Sequence, residues 1–309
     1  MKKPLVSIIV PNYNHSEFLE ERIQSILKQT FQDFELILLD DCSQDNGASK
    51  AVLERFRSNE HVSHIIYNEQ NSGSTFKQWH KGFELAMGEL VWIAESDDSC
   101  RETMLESLVA EFKRNERCVL AWCYSQMVNQ YGEKYGKILP DSDKVTRLKG
   151  SDFIRKYMTF RNVVDNASAA LFKKSVAQRL DKTYMEYTGA GDSLFWILLS
   201  HEGDVSIVQN PLNFYRRHEG VVTGIKFKDG TNFREEYRTL HYMLEHNYIS
   251  KGRSKLVVWR NRRLINSTKF VDKNTAEEIK RLWGCNKNPF PELIAGCFNM
   301  MVRVFELYI

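Results

Sequence analysis

Asp97 and Asp98 stand side by side at the end of LVWIAESDD, an apolar run where a buried strand should finish. Adjacent carboxylates repel one another and are costly at one strand end unless a cation joins them. Mg²⁺ or Mn²⁺ answers that need, since such ions are held by one or two carboxylates and take their other ligands from water and substrate phosphates. The pair therefore suits a cation that binds together with a nucleotide diphosphate. Two further strand ends are polar in the same way, PNYN at 11–14 and DDCSQD at 40–45. Each has an ordinary reading, because Asp, Asn and Pro form turns and N-caps. Three such ends together point to a site, since ligands of open α/β sheets bind beyond the carboxyl ends of the strands.

The elements that must position these ends are legible in the hydrophobic pattern. LVSIIV at 5–10 reads as a strand buried on both faces and ending at Pro11. From Ser16, taken as an N-cap, Leu19, Ile23, Ile26 and Leu27 recur at helical spacing, and ELILL at 35–39 is a second strand. Strand, helix and strand within about 40 residues make a right-handed βαβ unit with parallel strands. The alternation continues with a helix over 46–57, a strand over 62–67, a helix over 75–87 and a strand over 89–94. A helix carrying Met104, Leu105, Leu108, Val109 and Phe112 and a strand over 118–123 follow. This order predicts an α/β fold with a doubly wound, mostly parallel, Rossmann-like sheet. After Tyr124 the pattern loosens. A helix near 150–158, a strand near 167–172 and a helix opening close to Asp192 reappear, then two strand-like segments, DVSIVQN and LNFYRRH. From 226 to 309 the chain is charged and helix-like.

Composition narrows the function. The chain has 309 residues and a net charge of +3, too small a surplus to suggest nucleic acid as a partner. Its six cysteines form no CxxC pair, so neither a zinc site nor a redox motif is indicated. There is no GxxxxGK[ST] loop and no GxGxxG after the first strand, which argues against a P-loop ATPase and a dinucleotide-binding dehydrogenase. The first strand also lacks the glycine-rich loop that would cradle a triphosphate. Tyr13 is better placed to stack on a base. His15, His61, His64, His80, His201, His241 and His246 show no metal spacing and are expected to face solvent or be satisfied internally. NAS at 166 and NST at 266 match glycosylation acceptors only formally, because the short apolar run before Pro11 does not read as a signal peptide. A cytoplasmic protein is expected, with no segment reaching the roughly 18 apolar residues of a membrane span.

The order VSIIVPNYN, SILKQTFQDFELILLDDCSQD, NSG and LVWIAESDD resembles the N-terminal half of the family 2 inverting glycosyltransferases of GT-A fold. The resemblance covers residues 4–125 closely and extends to about 225 more loosely. It implies a catalytic domain over 1–225, with a nucleotide-binding half over 1–125 and an acceptor-binding half over 126–225, followed by a helical C-terminal extension over 226–309. It also implies that Pro11 and Tyr13 shape the base pocket, that Asp41 accepts the N–H of the base edge, and that Gly73 lines the nucleotide pocket. Asp97 would contact ribose and metal, and Asp98 would coordinate the metal directly. Where many members carry an Arg-Asn pair after the glycine, this chain has STFKQWHKG, which leaves Lys77 and Lys81 without an inherited role. Many relatives also carry aspartate at the position of Glu95, whose role stays open.

TGAGDSLFW at 188–196 resembles the family segment whose acid is the catalytic base, here Asp192, a residue that would equally serve as an N-cap. YRRHEGVVTG at 215–224 resembles the loop that closes on the pyrophosphate, with Arg216 and His218 beside the leaving group and His218 as a further metal ligand. The implied activity is inverting, Mn²⁺- or Mg²⁺-dependent transfer of a sugar from a UDP- or dTDP-sugar to a glycan or lipid-linked acceptor in polysaccharide biosynthesis. Two rival readings are a nucleotidyltransferase that makes the sugar nucleotide, and a non-catalytic nucleotide-binding module. Lys251, Arg253, Lys255, Arg260, Arg262 and Arg263, with the apolar segment 292–309, are expected either to pack on the domain or to contact the inner face of the membrane peripherally.

Overall fold

β1 (Val6–Asn12) and β2 (Phe34–Asp40) are buried at every position, which accounts for their unbroken apolar sequences: both faces are covered. The computed structural model describes residues 3–218 and 226–285. β1 lies parallel between β2 and β4 (Leu90–Ile93), and β3 (Val62–Tyr67) extends the sheet beyond β2. The crossovers carry α1 (Ser16–Leu27), α2 (Ala48–Glu54) and α3 (Thr75–Leu85). The other strands are β5 (Ser99–Cys100), β6 (Cys118–Val128), β7 (Val145–Lys149), β8 (Ala170–Lys173) and β9 (Asp204–Arg216). The sheet order is β3-β2-β1-β4-β8-β6-β9-β5, with β7 also on β9. β8 runs antiparallel to β4 and β6, whereas β6 and β9 are parallel to each other. The expected α/β sheet with helices around it is therefore present, and the reversal at β8 gives it a mixed middle.

Four local expectations change. β1 continues through Pro11 to Asn12; Pro11 lies past Ile9, the last residue paired with β4, where a missing N–H is tolerated. Ser16 is the first residue of α1, and His15 stands at the cap without a side-chain capping bond, its ring meeting Ser96 instead. DVSIVQN and LNFYR, the first five residues of LNFYRRH, form one strand, β9, with the register against β6 shifting around Tyr124 opposite Pro211, an irregularity that absorbs the missing donor. The helix near 150–158 starts as α5 (Gly150–Phe153) and widens into a π-helical turn over Ile154–Met158.

The chain divides into two compact units. One takes residues 3–150, 164–188 and 195–218, and holds the whole sheet with α4 (Met104–Arg114) and α6 (Lys174–Ala177). Its core includes Trp92, whose indole N–H donates to the Ser168 carbonyl at 2.7 Å. The other takes residues 151–163, 189–194 and 226–285. Here α8 (Thr231–Glu245), α9 (Lys251–Ser267) and α10 (Lys273–Leu282) bury Phe233, Leu240, Val257, Ile265 and Ile279, and Trp283 donates to the Phe233 carbonyl at 3.1 Å. The division falls within α7 (Gly191–His201). The helical C-terminal region is thus present. The segment 292–309, Cys297 and the end of YRRHEGVVTG lie outside the described residues. Among the described residues, no helix is long and apolar enough to cross a membrane.

One close approach in the first unit yields a stability prediction. The Gly150 N–H donates to the Gly203 carbonyl at 2.9 Å, and a Cβ there would stand 1.5 Å from the Ser200 oxygen and 2.4 Å from that of Gly203. Both neighbours are backbone and cannot swing aside. Gly150→Ala is expected to cost about 3 kcal/mol of stability, read as a lower urea midpoint; an unchanged midpoint would contradict this packing.

Candidate active site

The turns after β1 and β2 are locked to each other. Asn12 Nδ2 donates to Asp40 Oδ1 at 2.7 Å, and Ser43 donates to Asp40 through both its hydroxyl (2.6 Å) and its N–H (2.9 Å). Asn14 and Cys42 adopt left-handed backbone, φ 58° and 62°, which bends both turns tightly. Tyr13 is left 42% exposed between them, available to a planar ligand. Asp41 is buried and nearly filled: its carboxylate accepts from Asn68 Nδ2 (2.6 Å), Gln78 Nε2 (2.8 Å), the Ser72 hydroxyl (2.7 Å) and the Ser72 N–H (2.9 Å). A carboxylate offers about four lone-pair sites, so Asp41 ties down the loop that carries Gly73. Gly73 itself sits at φ 72°, which suits glycine. Lys77 Nζ donates to the Ser72 carbonyl at 3.1 Å and Lys81 to Asn68 Oδ1, so both lysines serve the same loop.

The two aspartates after β4 point to different surroundings. Asp98 is fully buried, with Oδ2 accepting from Asn166 Nδ2 (2.7 Å) and the Ser168 hydroxyl (2.6 Å), and Oδ1 accepting from the Arg216 N–H (2.9 Å). Asp97 instead meets His218, whose Nε2 lies 3.2 Å from Asp97 Oδ2, and His15 joins them. Among the described residues, His15, Asp97 and His218 form the one group of this kind able to hold a metal ion, each offering a ligand atom, all within 4.8 Å of one another. Phe18 packs against both imidazoles, at 6.4 Å from the His15 ring and 5.1 Å from that of His218. Ser96 Oγ lies 2.9 Å from His15 Nδ1, an outer contact of the kind that metal-binding imidazoles ordinarily have.

Arg216 faces inward. It is 1% exposed, its Nε donates to the Asp97 carbonyl (2.8 Å), one terminal nitrogen pairs with Glu21 (2.6 Å), and the other reaches the carbonyls of Asn129 and Gln130. The geometry thus brings Asp97 and His218 together and leaves Asp98 and Arg216 as supports of the strand ends. The histidine that sequence spacing passed over, His15, belongs to the cluster, 82 residues away from Asp97 with no local motif to mark it. Asn166 and Ser168, too, carry no signal beyond a formal glycosylation triplet, yet Asn166 is buried and bonded to Asp98.

The charges follow from this placement. Burial, then the neighbouring Asp97, pushes the Asp98 carboxyl up to about 7, against the opposing effects of Arg22, Ser168 and the Arg216 N–H. Burial works against ionisation of Asp97, but the His218 hydrogen bond and the charge of His15 outweigh it and hold that carboxyl below its ordinary range. His218 is correspondingly raised by its bond to Asp97, and His15 is lowered chiefly by burial, which favours the neutral imidazole a metal requires. Glu95 is raised to about 8 by burial and by Asp97 and Asp98, with Oε1 accepting from the Trp79 indole at 3.0 Å. Arg22, fully buried in α1 with its guanidinium 4.9 Å above the Trp92 ring, opposes the rise at both Glu95 and Asp98.

Asp192 belongs to the other unit. It lies in the first turn of α7, half-exposed, where Oδ1 accepts from the Ser193 N–H (2.8 Å) and Oδ2 from Asn162 Nδ2 (2.7 Å). Gly191 already opens the helix, so Asp192 is not its N-cap.

Residues 7–180 match the model of glycosyl transferase family 2. Over 239 residues the chain is 33% identical to glycosyltransferase GlyG of Streptococcus pneumoniae, covering 72% of this chain and 74% of GlyG. It is 31% identical over 203 residues to the poly(ribitol-phosphate) beta-N-acetylglucosaminyltransferase TarP of Staphylococcus aureus, covering 64% of this chain and 57% of TarP. The chain thus spans little more than half the length of TarP. Its fold is similar to that of residues 1–349 of Staphylococcus aureus TarS in complex with UDP-GlcNAc, with a TM-score of 0.65 and 19% identity over 85% of this chain and 73% of that one.

Proposed function

Because the chain belongs to glycosyl transferase family 2, we propose that it transfers a sugar, with inversion, from a UDP- or dTDP-sugar to a hydroxyl of a glycan or lipid-linked acceptor in cell-surface polysaccharide synthesis. The observation that carries this reading is the convergence of His15, Asp97 and His218 at the carboxyl end of the sheet. Tyr13 stacks on the base, Pro11 and Gly73 line its pocket, and Asp41 fixes the loop that frames it. His15, Asp97 and His218 would hold a divalent cation, with Asp97 also facing the ribose. When bound, such a cation supplies positive charge to the departing diphosphate. Two imidazoles in the donor set favour Mn²⁺ over Mg²⁺, which prefers oxygen ligands in octahedral array. Asp98 and Arg216 hold the two strand ends that present these donors.

Asp192 acts as the base. It takes the acceptor proton as that oxygen attacks the anomeric carbon, the bond to the diphosphate breaks, and nucleoside diphosphate leaves from the opposite face. One base and a charge-stabilised leaving group suffice for single displacement, unlike the paired carboxylates of glycoside hydrolysis. The UDP-GlcNAc complex of TarS supports uridine as the first nucleotide to test. A peripheral position on the cytoplasmic face of the membrane completes the reading, supported by α9, which carries six Lys and Arg residues and no acid.

Thermal unfolding with UDP, dTDP and GDP, each with Mn²⁺, with Mg²⁺ and with no metal, tests the donor and cation together. A ligand at 100 times its Kd stabilises the fold by about 2.7 kcal/mol, so UDP or dTDP with Mn²⁺ should raise the midpoint by about 5 °C. Equal shifts for GDP, or shifts indifferent to the metal, would overturn the site assignment.

A further inference from the structure

Glu235 is a buried carboxylate in α8 that no step above uses. Its Oε2 accepts two consecutive main-chain N–H groups, from Gly189 at 2.9 Å and from Ala190 at 2.6 Å. These are the last residues before α7 opens at Gly191, with Asp192 next in line. Hydrogen bonds from backbone N–H to a carboxylate are short and roughly twice as strong as neutral ones. The loop is also pressed onto α8 more closely than a side chain allows, since a Cβ on Gly189 would meet Asn232 Oδ1 at 2.3 Å. From another segment of the same unit, Asn162 donates to Asp192 Oδ2 at 2.7 Å. The backbone ahead of Asp192 and the carboxylate itself are therefore held at separate points.

We propose that Glu235 is a positioning residue for Asp192, anchoring the Gly189–Ala190 backbone so that, with Asn162, the carboxylate is kept where it takes the acceptor proton. The proposal rests on the reading of Asp192 as the base. A base must lie within about 2.6–3.2 Å of the proton it removes, and a misplacement of about 1 Å costs on the order of 100-fold in rate. The helical C-terminal region thereby becomes part of the catalytic apparatus, because its first long helix sets the position of a residue far upstream.

Two measurements on the full-length protein test this: amide hydrogen exchange of Gly189 and Ala190, and the kinetics of UDP release from UDP-GlcNAc in the presence of Mn²⁺. In Glu235→Ala both amides should exchange faster, and kcat should fall about 10- to 100-fold while KM for UDP-GlcNAc stays within twofold of wild type. Glu235→Gln keeps an oxygen to accept the same N–H groups and should restore kcat to within about fivefold. Unchanged exchange in Glu235→Ala overturns the proposal whatever the donor. So does faster exchange with unchanged kcat, or a kcat loss accompanied by an equal loss of UDP-GlcNAc affinity. If the alanine variant does not fold, exchange in Glu235→Gln decides: slightly faster than wild type supports the anchor, identical overturns it. Asp192→Asn measured alongside separates the two readings, since full activity there removes the base itself, whereas inactivity there with an unaffected Glu235→Ala removes only the positioning role.

Discussion

Replacing Asp192 by asparagine is expected to lower sugar transfer by about three orders of magnitude, within the range that general acid–base groups contribute, while leaving donor binding intact. The substitution is nearly isosteric. The amide oxygen still accepts from the Ser193 N–H, and the Asn162 side chain can turn to present its own oxygen to the new NH₂ group. What disappears is the capacity to take a proton, so the loss should fall on kcat, with the Mn²⁺-dependent thermal shift by UDP unchanged. A loss smaller than tenfold in transfer would mean that another group removes the acceptor proton.

Asp97→Ala is expected to abolish the metal-dependent part of donor binding and to reduce transfer by about 100- to 1,000-fold, the equivalent of several kcal/mol of charge stabilisation at the leaving group. It removes the only carboxylate from the His15, Asp97 and His218 group. It also takes away the hydrogen bond that raises His218, so that imidazole should titrate lower in the variant, a change visible by NMR. The adjacent Asp98→Asn supplies the contrast. Asp98 spends both oxygens on Asn166, Ser168 and the Arg216 N–H, so its variant should keep the Mn²⁺ response while losing some fold stability. A metal response retained in Asp97→Ala, or lost in Asp98→Asn, would exchange the roles of the two neighbours.

The doubled aspartate shows how far sequence could carry the site. That two carboxylates meet at the end of β4 follows from an apolar run with a polar stop, and the parallel strands around it follow from their alternation with helices. Which carboxylate turns toward His15 and His218 is a matter of side-chain direction at a turn, and that depends on Asn166, Ser168 and β9, whose approach no local pattern reveals. His15 was hidden for the same reason: its partners lie on other strands' ends, brought near by the sheet order alone. Arg216 is marked in the sequence only by the resemblance of YRRHEGVVTG, and its burial against Glu21 and Phe18 is tertiary. Glu235 reads as one of three acids in an amphipathic helix, because two backbone N–H groups leave no trace in the sequence they belong to.

The bonds that settle Asp98 close loops of 68, 70 and 118 residues. On the ribosome, the four parallel strands of the N-terminal half are complete once Ile93 has emerged, yet the hydrogen bonds to Asp98 wait until Asn166, Ser168 and then Arg216 have been synthesised. Contacts this distant form slowly, since loop closure must come first. Asp97 and His218 are separated by 121 residues, so these two side chains are among the last groups to meet. A nascent chain has its parallel strands and the turns beyond them long before His15, Asp97 and His218 can come together, which happens only when β9 joins the sheet.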